Sequence, residues 1–121
     1  MSDPRHRLGH EAELLVARAL TAAGWRVLAN RWRASTGEID LVCLDPGGVL
    51  VAVEVRARRS ARSGSAGESV RHEHLRRVRA ALGEYAAGAS LGHRGLRVDL
   101  VALDRVRGRW RAVRFPAVDA W

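Results

Sequence analysis

The chain has 121 residues, 47% of them hydrophobic and 28% charged, with a net charge of +8. This balance argues against a disordered chain, and the length suits one domain, residues 1–121. The N-terminus, Met1-Ser2-Asp3-Pro4-Arg5-His6-Arg7, has no apolar stretch behind its basic residues, and no later run is long enough to span a bilayer, so a cytoplasmic location is expected.

From Arg7 to Ala23, apolar residues Leu8, Ala12, Leu15, Val16, Ala19, Leu20 and Ala23 recur at helical spacing, with Gly24 as a stop signal. Three β-like runs follow, Trp25 to Trp32, Glu38 to Leu44 and Val49 to Arg56. Between Arg58 and Glu68 the chain is basic, rich in Ser and Gly and without periodicity, which predicts a flexible flap. A second amphipathic helix is expected over Val70 to Ala87, with Leu75, Val78, Leu82 and Tyr85 on its apolar stripe. Leu96 to Leu103 and Arg109 to Phe115 read as strands joined by a turn near Arg107-Gly108. The order αβββαββ predicts an α/β fold, a mixed central sheet flanked by helices.

The excess of cations suggests a polyanionic partner. Nucleic acid is favoured over a membrane, because the most basic segments, Arg56 to Arg62 and Arg105 to Arg114, read as strand and loop rather than as an amphipathic helix with apolar anchors. All 21 basic residues are Arg, a pattern that fits compositional drift across a genome better than phosphate recognition at every position.

Asp45-Pro46-Gly47-Gly48 matches a type I turn, and a left-handed Gly after it gives a three-residue hairpin loop, Pro46 to Gly48. With that loop Asp45 pairs with Val49, which puts Asp40 opposite Glu54. Directly opposed residues have Cβ atoms about 4.5–5.5 Å apart, a costly distance for two carboxylates unless a cation sits between them. Arg56 lies two residues beyond Glu54 and shares its face. Two acids and a base converging on one face suit phosphodiester hydrolysis, in which carboxylates hold Mg²⁺ and a neighbouring cation stabilises the transition state. The plainer alternative is a Glu54–Arg56 ion pair, with Asp40 protecting a strand edge. The apolar run Val49 to Val53, typical of a central strand, weighs against it.

Gly9 to Glu13, Gly24-Trp25, Trp32-Arg33, Gly37-Glu38-Ile39-Asp40-Leu41 and Val53-Glu54-Val55-Arg56 together resemble the YraN-like family of uncharacterised bacterial proteins, over nearly the whole chain. That resemblance implies a restriction-endonuclease-like core of the PD-(D/E)xK type, similar to archaeal Holliday-junction resolvases. It implies Asp40, Glu54 and Glu13 as ligands of Mg²⁺ or Mn²⁺ and, with Arg56, as the catalytic set. Periodicity alone does not choose between Glu11 and Glu13, which border the apolar stripe on opposite sides. Glu38 shares Asp40's face by period two or points outward at the strand start. Arg33, Arg58, Arg59, Arg62, His74 and Arg77 are the candidate nucleic-acid contacts, to DNA ahead of RNA. Junction-cutting proteins of this fold work as dimers, so a homodimer is among the expectations.

Four positions depart from the family pattern: Arg56 stands for its Lys, Ala12 for its Gly, Arg31 for its Asn, and His74 for a helix Lys. Arginine keeps the charge of the catalytic Lys but, with a pKa above about 12, cannot act as a general base. A nucleic-acid-binding module that has lost cleavage is therefore the alternative to a nuclease.

Other signals are discounted. His72 and His74, two apart on a helix, read as solvated surface rather than a joint metal site. His6 and His10 have zinc-ligand spacing without an accompanying acid motif. Trp25, Trp32 and Trp110 read as core more than as base-stacking platforms. Cys43 reads as a small buried hydrophobe.

Overall fold

A computed structural model describes residues 4–58 and 68–119. Two helices and five strands follow in the expected order: α1 (Pro4–Ala22), β1 (Arg26–Arg33), β2 (Glu38–Leu44), β3 (Leu50–Arg58), α2 (Glu68–Gly88), β4 (Leu96–Val106) and β5 (Arg109–Phe115). The predicted flap and the contacts assigned to Arg59, Arg62 and the side chain of Arg58 lie outside the described residues.

The strands form one sheet in sequence order. β1–β2, β2–β3 and β4–β5 are antiparallel, whereas β3 and β4 run parallel, because α2 carries the chain back before β4 begins. The sheet is therefore mixed, consistent with the nuclease-like core expected from the motifs. In β3, Leu50, Val51, Ala52 and Val53 are all fully buried, the mark of a strand covered on both faces.

Alternate side chains feed two cores. Val51, Val53 and Val55 pack under α1 with Ala12, Val16, Leu20, Trp25, Leu41 and Cys43. Leu50 and Ala52 pack under α2 with Leu75, Val78, Ala81, Leu82 and Val98. Each buried Val or Leu contributes about 1.5–3 kcal/mol, so both helices are held by their apolar stripes. The α1 stripe is narrower than its periodicity suggests: Leu15 is 38% exposed, and Ala19 and Ala23 are also exposed, because only one edge of that helix rests on the sheet.

The Asp45 hairpin has the predicted form. Asp45 N–H donates to Val49 O (2.9 Å), Gly48 N–H donates to Asp45 O (3.0 Å), and Gly48 takes the left-handed conformation at φ 92°. Asp45 Oδ1 accepts from the Gly47 and Val49 amides, fixing the turn and with it the β2–β3 register. Of the three tryptophans expected in the core, Trp25 is buried, Trp32 is half-buried edge-on to Tyr85 at 5.2 Å, and Trp110 is half-buried. Cys43 is buried as expected, and burial pushes its thiol up to about 12.

Candidate metal centre

The predicted register holds for four pairs, from Leu44↔Leu50 to Leu41↔Val53, and then the two strands part. Beyond that point side chains replace the ladder. Asp40 N–H donates to Glu54 Oε2 (3.1 Å), and Val55 N–H donates to Asp40 Oδ2 (2.9 Å). The two carboxylates are thus interlocked across the gap, each held by the other's strand.

β1 is irregular beside this gap. Trp32↔Ile39 and Asn30↔Leu41 are paired, but Arg31 between them is left-handed, with φ 51°. Across this stretch Ile39 joins the core under α2 while Leu41 joins the core under α1. Period-two alternation fails across Asp40, and of the two readings open for Glu38 the outward one holds. Glu38 faces solvent, 42% exposed and 3.6 Å from Arg33.

Burial first, and then the Glu54 carboxylate, push the Asp40 carboxyl up to about 7; Glu13 adds to the rise, and Arg56 opposes it. Glu13 and Arg56 are thus within electrostatic reach of Asp40, while Glu54 bonds to its backbone directly. Glu13, 8% exposed, projects from α1 and accepts from Asn30 Nδ2 (3.0 Å) and Arg31 Nε (2.9 Å). Asn30 also donates to the Asp40 backbone carbonyl (3.0 Å), tying the helix to the kink. Arg31 is held strongly cationic, chiefly by its bond to Glu13. Its family counterpart, Asn, is at ease in the left-handed conformation that this position requires.

His74 departs from its sequence reading. It is not solvated surface: its Nε2 lies 2.8 Å from Glu54 Oε1, and Glu54 is only 3% exposed. A carboxylate only accepts hydrogen bonds, so Nε2 carries the proton there. α1 thus supplies Glu13 from one side of the sheet, and α2 supplies His74 from the other.

The donor set suits a hard divalent cation. Asp40 and Glu54 offer carboxylate oxygens, each with acceptor sites to spare beyond the bonds above. Among the described residues no three of His, Cys, Asp and Glu gather into a ready-made metal cage. Mg²⁺ does not need one, since it keeps several waters and is commonly held by one or two carboxylates plus a substrate phosphate. Glu13, engaged by Asn30 and Arg31, stands behind the pair.

The remaining predicted contacts are dispersed. Arg33 is 84% exposed beside Glu38, and Arg77 is exposed, 3.4 Å from Glu73 one helical turn away. Sequence reasoning missed Asn30 and Arg31 as site residues, although a polar pair interrupting a β-run is a signal for a kink. It also missed Asp99, fully buried, which accepts from Arg97 and Arg114 and from the Ala117 amide. The same two guanidinium groups lie 5.8 and 5.3 Å from the Trp25 ring. An acid and a base two apart in a strand, Arg97 and Asp99, signal such a pair.

Comparison with known proteins points the same way as the motifs. The chain is 43% identical over 115 residues to a UPF0102 protein of Anaeromyxobacter dehalogenans, covering 95% of this chain and 85% of that one. It is 45% identical over 105 residues to a UPF0102 protein of Ralstonia nicotianae, covering 84% and 81%. A UPF0102 protein of Bordetella avium is 41% identical over 108 residues, covering 89% and 74%. The model of the uncharacterised protein family UPF0102 matches residues 12–103, which contain the kink, both carboxylates, Glu13 and His74. The chain belongs to UPF0102, the uncharacterised family expected from its YraN-like motifs.

Proposed function

We propose that this protein is a metal-dependent endonuclease of the DNA-processing type. The observation that carries the proposal is the Asp40–Glu54 pair, interlocked where the sheet opens, with the Asp40 carboxyl raised to about 7 by burial and by its partner. A buried Glu54 and a half-buried Asp40, each accepting an amide from the other's strand, are poised for a cation. A bound Mg²⁺ or Mn²⁺ would activate water and polarise a phosphate. Asp40 and Glu54 would hold it. His74 and the Asp40 amide orient Glu54, the Val55 amide orients Asp40, and Asn30 with Arg31 fixes Glu13 behind them. Arg56, exposed on β3 beside the pair, supplies positive charge towards a phosphate.

Arg56 also motivates a second reading, a nucleic-acid-binding module with a retained nuclease fold. Calorimetric titration with Mn²⁺, followed by cleavage assays of wild type and Arg56→Lys, decides between them. A nuclease binds the ion through Asp40, and Arg56→Lys preserves or increases cleavage, because Lys keeps the positive charge at similar reach. Binding of nucleic acid with no cleavage by either protein selects the module. Cleavage by Arg56→Lys alone identifies a retained metal site that has lost its final catalytic element.

A further inference from the structure

α1 lays Ala12, Val16 and Leu20 against the sheet and turns its opposite side to solvent. At about 100° per residue, Glu11, Leu14, Leu15 and Arg18 fall within one arc of about 100° on that outer side. All four are exposed, Leu14 at 45% and Leu15 at 38%. A single exposed leucine is commonplace, but two adjacent ones framed by an acid and a base make an ordered patch. On the Leu14 side the patch runs into an apolar groove between α1 and β1, lined by Leu14, Ala17, Arg18, Thr21, Ala22 and Val27.

The charges along this face are self-complementary. Glu11 and Arg18 stand equally far on either side of the midpoint between Leu14 and Leu15, about 5 Å from it along the helix axis. A second α1 laid antiparallel, about a two-fold axis level with that midpoint, brings Glu11 of each chain opposite Arg18 of the other and gathers the leucines between the two pairs. The same axis puts Leu14 of both chains on one side of the contact, beside the groove, and Leu15 of both on the other. Parallel pairing would set Glu11 against Glu11 and Arg18 against Arg18, so the charges select the antiparallel arrangement.

We propose that the outer face of α1 is the surface at which two copies of this chain pair, as an antiparallel helix pair with two-fold symmetry. The proposal stands apart from the endonuclease reading, since it needs neither metal nor nucleic acid. Leucine burial drives the association, and the flanking ion pairs, each weak at a surface, set its register and direction. One helix face is small beside the roughly 800 Å² per partner of a standard stable interface, so the dimer forms at micromolar concentrations or above. Glu13 leaves α1 on another side, towards Asn30 and Arg31, so substitutions at positions 11 and 18 leave the contacts of the metal centre in place.

Sedimentation equilibrium of the full chain from micromolar to millimolar concentration, in EDTA and without nucleic acid, tests the pairing. Wild type should show a monomer–dimer equilibrium. Glu11→Arg, or Arg18→Glu, sets like charges together at both ends of the contact and should raise Kd about tenfold or more. The double variant Glu11→Arg, Arg18→Glu restores both pairs and should return Kd to within about threefold of wild type. An equimolar mixture of the two single variants joins an all-Arg face to an all-Glu face and should dimerise more tightly than either variant alone. Leu14→Ala with Leu15→Ala should leave a monomer. Arg, Glu and Ala all suit a helix, so every variant should melt near wild type. A wild type that stays monomeric throughout overturns the proposal. Dimerisation that the single reversals leave unchanged places the interface elsewhere and overturns it too, as does a folded double variant that fails to recover. None of these outcomes bears on cleavage, so the nuclease reading stands or falls separately.

Discussion

Replacing Asp40 by Asn should stabilise the metal-free protein at pH 8 and do little at pH 4. The folded chain raises the Asp40 carboxyl from an ordinary 3.8 to about 7, chiefly by burial and then by the Glu54 charge. A raised carboxylate pKa means that the folded state holds its proton more tightly than the unfolded state does. Stability therefore falls as pH rises from about 4 to about 7 and is level above that. Three units at about 1.4 kcal/mol each set a ceiling of about 4 kcal/mol. Coupling to Glu54 and the partial exposure of Asp40 reduce this to about 1–3 kcal/mol. Asn can still accept the Val55 amide bond through its side-chain oxygen while removing the charge. For a domain of this size, about 1–3 kcal/mol corresponds to a rise of roughly 4–12 °C in Tm. Thermal melts in EDTA from pH 4 to pH 8 measure it. Added Mg²⁺ should then stabilise wild type, by about 2.7 kcal/mol at a hundredfold excess over Kd, and leave Asp40→Asn unmoved. A variant less stable than wild type at pH 8 in EDTA would refute the reasoning, since Asp40 would then be held by a favourable native ion pair.

Glu13→Gln keeps a carbonyl for Asn30 but removes the charge facing Arg31; urea unfolding should show a loss of about 1–2 kcal/mol, moderated by the solvent around Arg31. Asp99→Asn strands two guanidinium groups beside a fully buried side chain and should cost about 3–5 kcal/mol in the same assay, with Mn²⁺ binding unchanged in whatever fraction stays folded. Binding of nucleic acid by wild type should weaken steeply between low and physiological salt, with a linear dependence of log affinity on log salt; a flat profile in a filter-binding series would remove the phosphate contacts from the account.

The fold was largely legible because its signals are local. The hydrophobic stripes of the two helices, the apolar run of β3 and the turn chemistry of Asp45 to Gly48 each specify an element without reference to the rest. The hairpin register placed Asp40 near Glu54 correctly, since a three-residue loop leaves no freedom in pairing up to Leu41↔Val53. What followed was not legible. The ladder opens one residue further on, beside a left-handed Arg31 on a different strand, and no pattern within β2 reports that. Alternation left Glu38 open between Asp40's face and solvent, and the structure puts it in solvent. His74 read as surface because helical spacing identifies its neighbours on α2 but not that Glu54 lies beneath it. Glu13 was reached only through the family resemblance, as periodicity left Glu11 equally open. Asn30, Arg31 and Asp99 act through contacts between elements, which a single strand's pattern does not display.

The most direct measurement of the central claim is cleavage of a panel of branched, single-stranded and duplex substrates by purified protein in Mg²⁺, Mn²⁺ or EDTA, alongside Asp40→Asn. The account predicts cleavage of at least one substrate with metal, none in EDTA and none by Asp40→Asn, whose fold is verified by its melt. Metal-dependent cleavage that survives in Asp40→Asn would contradict the assignment of the centre, and binding without cleavage under every condition would contradict the nuclease.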